Sequence, residues 1–108
     1  MPHIVIEYSN SLRRHSNAVM RACHKHLSNC GICDPQAVKA RCIPYEKTLL
    51  PEGARNFMHI TVSLLEGRSE EERVALSQAL FALVKEAVEP VDRLSVDIQE
   101  MAIATYSK

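Results

Sequence analysis

Three kinds of residue in this chain could carry chemistry: a proline beside the initiator methionine, a set of four cysteines, and several cations placed near predicted strand ends. The chain opens "MPHIVIEYS", with Pro2 just ahead of an apolar strand. Removal of the initiator methionine is expected where the next residue is small, so the mature chain is expected to start with a secondary amine. An α-amino group titrates near about 7.7–8.0 when unperturbed. An apolar pocket or neighbouring cations disfavour its charged form and lower that value. A neutral amine at neutral pH is a competent general base, and once protonated it can return the proton as an acid. The ring also fixes the direction of the nitrogen, with fewer torsions than a lysine. Taken alone, Pro2 reads as an idle strand edge, because proline at position 2 is common and is tolerated at the first residue of a strand.

The cysteines are Cys23, Cys30, Cys33 and Cys42, and "CGIC" has the C-x-x-C spacing of redox and zinc motifs. A zinc site needs two more ligands. Cys23, His24, His26 and Cys42 are near, but no second C-x-x-C or H-x-x-x-H follows at the usual distance. A thioredoxin-like motif should follow a strand and open a helix. Here it follows a helical pattern and precedes "DPQ". The cysteines therefore read as small buried or half-buried thiols in a reducing compartment, and no metal is expected. Among the cations, Lys39 and Arg41 stand two apart in "AVKARCI". On a strand they share a face and could flank one pocket.

These groups need elements to position them. At 108 residues the chain is long enough for one core, and residues 1–108 read as a single domain. The first strand is expected from about His3 to Tyr8, and its consecutive apolar residues suggest cover on both faces. "SNS" opens an amphipathic helix in which Leu12, Val19, Ala22, Cys23, His26 and Leu27 fall near one face. Gly31 and Pro35 break it, "AVKARCI" follows as a weak strand, and "PYEKTLLPEGARN" is the long connection. In the second half "MHITVSL" alternates strictly, with Met58, Ile60, Val62 and Leu64 on one side. Ser69 and Glu72 form a capping box, with Glu70 and Glu71 also suited to the positive end of the helix. Pro90 marks the end of that helix, and "RLSVDIQEM" is the fourth strand.

The order is β-α-β, a loop, then β-α-β. "HIVIE" from His3 overlays "HITVS" from His59, an internal duplication that divides the chain into units at 1–45 and 56–108. The expected fold is α/β (α+β), a four-stranded sheet from duplicated β-α-β units with both helices on one face. The other face is expected to be bare and partly apolar, hence an association surface. The overlay sets Pro2 against Met58, so the amine-bearing proline occurs once per chain.

Thirteen basic and thirteen acidic residues cancel, and no basic patch argues for nucleic acid. Arg13, Arg14, Arg21 and Lys25 read as the wet face of a helix. No apolar run approaches the roughly 18 residues of a membrane span, and no signal peptide is evident. The expected location is cytoplasmic.

The "PH" start with Glu7 ending the strand, "KAR", "MHITV" and "GRS-EE-R" at the second helix together resemble the tautomerase superfamily. Within it, the chain is most similar to the 5-carboxymethyl-2-hydroxymuconate isomerases, over nearly its whole length. The resemblance implies a homotrimer of β-α-β-β-α-β subunits with no metal or organic cofactor. It implies that Pro2 is the base, moving a proton from a 2-hydroxyl or the dienol framework to carbon on a small carboxylate substrate. It implies that Arg68 of "GRS" binds substrate, a role that suits the placement because a helix N-terminus does not favour a cation electrostatically. Arg41 is the second substrate-binding candidate, with Lys39 its substitute. The family often has arginine at both positions, and lysine lacks the fork that grips a carboxylate. His3, Glu7 and His59 are assigned structural roles, as partners of backbone groups or of a neighbouring subunit. Two other readings compete: a tautomerase of another enol such as phenylenolpyruvate, and a small zinc-binding module built on "CGIC".

Overall fold

Side-chain alternation along the strands settles the layer structure of the protein. The computed structural model describes residues 2–88 and 90–108. β1 (His3–Ser9) buries Ile4, Ile6 and Tyr8, and β3 (Phe57–Leu65) buries Met58, Ile60, Val62 and Leu64. Between the strands come α1 (Arg13–Asn29), β2 (Lys39–Tyr45), and later α2 (Glu70–Ala87) and β4 (Arg93–Met101). α1 contributes Val19, Cys23 and Leu27 to the core, and α2 contributes Leu76, Leu80 and Val84. Both helices lie on the side of the sheet to which the even-numbered residues of β1 and β3 point. No helix among the described residues is long and apolar enough to cross a membrane.

The sheet order is β2-β1-β3-β4. β1 pairs with β2 in parallel, setting His3 against Lys39. β3 pairs with β4 in parallel, setting His59 against Ser95. The two units meet at antiparallel β1 and β3, where His3 faces Ser63 and Glu7 faces His59. Under the overlay of His3 on His59 these two pairs exchange places, so an approximate twofold passes through the Val5–Thr61 pair. The same operation carries Lys39 onto Ser95 and Arg41 onto Asp97. The basic pair therefore belongs to the first unit alone.

Local chemistry fixes the element ends. At α2 the capping box is formed: the Glu72 amide donates to Ser69 Oγ at 3.1 Å, and the Ser69 amide donates to Glu72 Oε1 at 2.9 Å. β2 differs from the expected "AVKARCI" by starting later and running on to Tyr45. Pro35–Ala37 form a short 3-10 turn capped by Asp34, whose carboxylate accepts from the Gln36 amide. Pro44 stays within β2 because β2 is an edge strand. α2 stops at Ala87, ahead of Pro90.

One expectation about cover is corrected. β1 is buried on one face only, with Val5 half-exposed. The bare face carries His59, Thr61, Ser63, Ser95, Asp97 and Gln99 in its middle and, in keeping with the expectation of a partly apolar face, Val5, Ile43, Tyr45, Phe57, Leu65 and Met101. The pleat is the cause. Strict alternation sends most of the apolar strand residues to the helix side and leaves the rest toward the strand ends and the β2 edge of the bare face.

Candidate active site

Because β1 and β2 start where β3 and β4 finish, the topology gathers Pro2, Lys39, Leu65 and Met101 at one end of the sheet. The Lys39 amide donates to the Pro2 carbonyl at 3.1 Å, which ties the proline into the β1–β2 ladder at the point where β1 begins. Pro2 is buried. Its nitrogen is an amide while Met1 is attached, so base chemistry there needs Met1 removed. Met1 lies outside the described residues.

Arg68 belongs to the same end, between β3 and α2. It is half-buried, and its guanidinium is clamped by backbone carbonyls. Nε and Nη2 donate to Ile32 O at 3.0 and 2.6 Å, and Nη1 donates to Leu65 O at 3.0 Å. Of the five N–H donors of an arginine, two remain for another acceptor among the described residues. The side chain is therefore a fixed cation rather than a loose surface arginine. Ile32, the residue that holds it, sits inside "CGIC".

Lys39 and Arg41 point to the bare face and are exposed. Lys39 Nζ donates to Ala37 O at 3.4 Å. Arg41 Nη1 donates to His3 Nδ1 at 3.3 Å. An arginine has only donors to offer, so Nδ1 is the unprotonated nitrogen and His3 is neutral. Its Nε2–H is then free to donate to the Tyr106 hydroxyl at 2.8 Å, with the two rings edge-on. Burial, then the charges of Arg41 and Lys39, push the His3 pKa down, in keeping with the neutral form. The arrangement is a chain from Arg41 through His3 to Tyr106, fastening the C-terminal tail against the strand that carries Pro2.

The sequence-predicted residues thus divide by face. Pro2 and Arg68 share the helix side of the sheet end, and Lys39 and Arg41 occupy the bare face. Two hollows of the chain lie elsewhere, one at Phe81 and Leu94 and one between the helices at His26, Cys30 and Leu83. Tyr106 was missed by sequence reasoning. Nothing in its spacing points to His3, because the two are at opposite ends of the chain. The structural roles expected for His3, Glu7 and His59 take the form of side-chain contacts: Tyr45 donates to Glu7, and His59 Nδ1 meets Ser95 Oγ at 2.6 Å.

The cysteines are all reduced. Cys23 is buried beside Cys42, and burial first, then that neighbour, push its thiol up to about 12. Among the described residues no three His, Cys, Asp or Glu side chains gather as metal ligands would.

Residues 2–108 match the family model described as 5-carboxymethyl-2-hydroxymuconate isomerase. No curated protein matches in sequence. Among solved structures, a 5-carboxymethyl-2-hydroxymuconate isomerase from Deinococcus radiodurans R1 superposes with a TM-score of 0.87 at 23% identity, covering 99% of this chain and 87% of that one. A 5-carboxymethyl-2-hydroxymuconate delta-isomerase gives 0.75 at 21% identity, covering 100% and 87%. A fused 4-OT solved as a symmetric trimer gives 0.81 at 16% identity, covering 98% and 90%. At these identities the structures establish the shared fold.

Proposed function

The chain belongs to the 5-carboxymethyl-2-hydroxymuconate isomerase family and is an isomerase, and from that premise we propose that Pro2, exposed as an amine, is the base of an enol-to-keto shift. The Pro2 nitrogen takes a proton from the 2-hydroxyl, or from the dienol framework, of a 5-carboxymethyl-2-hydroxymuconate-type substrate and delivers it to carbon. Loss of the O–H proton turns the enol oxygen into a carbonyl, and the protonated amine becomes the acid for the carbon terminus. No metal or organic cofactor is called on.

Cations are needed to hold the substrate carboxylates and the charge that develops on the 2-oxygen. Arg68 supplies a pre-oriented guanidinium at the same sheet end as Pro2. Arg41 supplies a second, braced by His3, with Lys39 beside it. Since Arg41 and Lys39 face away from the helix side, they serve a site completed between subunits. The oligomer is a homotrimer, the state in which the fused 4-OT relative was solved.

The observation that carries this reading is the family match, which extends to Pro2 and spans the residues that bring Pro2 and Arg68 to one end of the sheet. Its test is in two steps. Intact-mass analysis is expected to show a chain starting at Pro2 with a free amine. Pro2→Ala, which keeps an amine but loses the ring, is expected to slow ketonisation by roughly 100-fold, the lower range for general acid–base catalysis. A retained Met1, a blocked amine or an unchanged rate overturns the role.

A second reading has its own observation. Lys39 is a single-point cation already bonded to Ala37 O, where a fork would grip a carboxylate. That favours an enol with fewer carboxylates, of the phenylenolpyruvate type. Comparing kcat/KM for substrates with and without the extra carboxylate separates the two.

A further inference from the structure

The C-x-x-C motif is not absorbed by the isomerase chemistry, yet it touches the site. Cys30 and Cys33 both donate their thiols to one carbonyl, Leu27 O, at 3.2 and 3.4 Å. That carbonyl lies in the last turn of α1, where helix geometry leaves oxygens without an amide partner. The two thiols therefore cap the helix together. Gly31 between them has φ +83°, the left-handed conformation that turns the chain sharply and that glycine adopts without cost. Cys30 is exposed and Cys33 half-buried. Ile32, the other residue between them, offers its carbonyl to Arg68 through two hydrogen bonds.

We propose that Cys30 and Cys33 are a reversible disulfide site, and that closing the bond loosens Arg68 from the loop that fixes it. The oxidant is a low-molecular-weight disulfide. The Cys30 thiolate attacks it, forming a mixed disulfide and releasing one thiol. The Cys33 thiolate then attacks the Cys30 sulfur, releasing the second thiol. Two protein thiols and one small disulfide become one protein disulfide and two small thiols, so atoms and electrons balance. Exposure assigns the first attack to Cys30. Burial, then the neighbouring Cys30, hold the Cys33 thiol up, as suits the residue that reacts second.

The coupling to Arg68 follows from the covalent path. For the sulfurs to bond, both lose the hydrogens that they donate to Leu27 O, and Gly31 and Ile32 become the inside of a closed covalent loop. The Ile32 carbonyl then moves off the guanidinium. Coupling of this kind is reciprocal. If oxidation breaks the Arg68 bonds, those bonds oppose oxidation. This second half rests on the proposed role of Arg68 only for its effect on substrate; the coupling itself is read without turnover.

The experiment equilibrates the full-length protein in glutathione buffers of graded ratio, blocks remaining thiols with iodoacetamide, and reads tryptic peptides by mass. Cys30 and Cys33 share the peptide 26–39, whereas Cys23 and Cys42 fall in others. The expected product is peptide 26–39 lighter by two hydrogens and unalkylated, reversed by dithiothreitol, with Cys23 and Cys42 still alkylated after unfolding. Arg68→Ala is expected to move half-oxidation to a more reducing buffer by about tenfold in the equilibrium constant, the worth of one hydrogen bond to a charged group. Arg68→Lys, checked by circular dichroism, serves if the alanine variant does not fold, and moves it in the same direction. A peptide that stays alkylated at both cysteines, or that carries only glutathione, overturns the site. An unshifted midpoint in the folded arginine variants overturns the coupling. Both results are independent of whether Pro2 turns over a dienol.

Discussion

His3 sits between a cation and a phenol, and its chemistry follows from both. Between the Arg41 donor and the Tyr106 hydroxyl it must be neutral, and burial together with Arg41 and Lys39 holds its pKa below the ordinary imidazole value. The sign of the resulting pH dependence follows from linkage. Below about pH 6.5 the unfolded chain takes up a proton at this position, whereas the folded chain resists until lower pH. His3 therefore subtracts stability as the pH falls from neutrality through the depressed folded value. Thermal unfolding of His3→Gln is expected to change less between pH 7 and 5 than that of the parent. Tyr106→Phe removes only the tail's hydroxyl. If the chain from Tyr106 to Arg41 orients the cation for substrate, this variant raises KM more than it lowers kcat; equal loss in both would point to a purely structural tie.

The elements are held by interactions of different reach. α2 carries its own start signal, so Ser69→Ala is expected to cost about 1 kcal/mol and to lower Tm by about 4 °C in a chain of this size. The measurement is thermal unfolding at fixed protein concentration. α1 has no comparable side-chain cap at its beginning, and its end depends on two thiols and a turning glycine. Helix burial contributes more than caps do. Leu80, fully buried against the sheet, is expected to cost about 2–5 kcal/mol when changed to alanine. The connection after β2 is tied down at its far end, where the Arg55 amide donates to Asp92 at 2.7 Å and the Asp92 amide donates to Asn56 Oδ1 at 2.7 Å. Leu49 in its middle is fully exposed.

The whole molecule leaves one sheet face uncovered, polar in its middle and partly apolar toward the strand ends and the β2 edge. Association through it would combine hydrogen bonds and ion pairs at its middle with apolar contacts at Val5, Ile43, Tyr45 and Phe57. Thr61, opposite Val5 on the approximate twofold, lies well inside the sheet. Thr61→Arg places an unpaired charge there, and a buried charge without a partner is costly. If this face joins the proposed trimer, sedimentation of the variant is expected to show smaller species with reduced activity. A variant that sediments as the parent does would place the subunit contact elsewhere.

What the sequence determined by itself was local. Period-two alternation gave β3 and β4 nearly to the residue, the serine–glutamate spacing gave the start of α2, and the repeat of "HIVIE" by "HITVS" gave the two β-α-β units, though not the strand order that joins them. These signals are legible because the responsible atoms are within a few residues of one another, or because one unit restates the other. The tertiary structure alone decided which side of the sheet each candidate faces. It separated Arg41 and Lys39 from Arg68, and joined His3 to Tyr106 across the length of the chain. It also set the carbonyl of Ile32 on the Arg68 guanidinium. Contacts of that kind are fixed by how the elements pack, and no spacing within a single element encodes them.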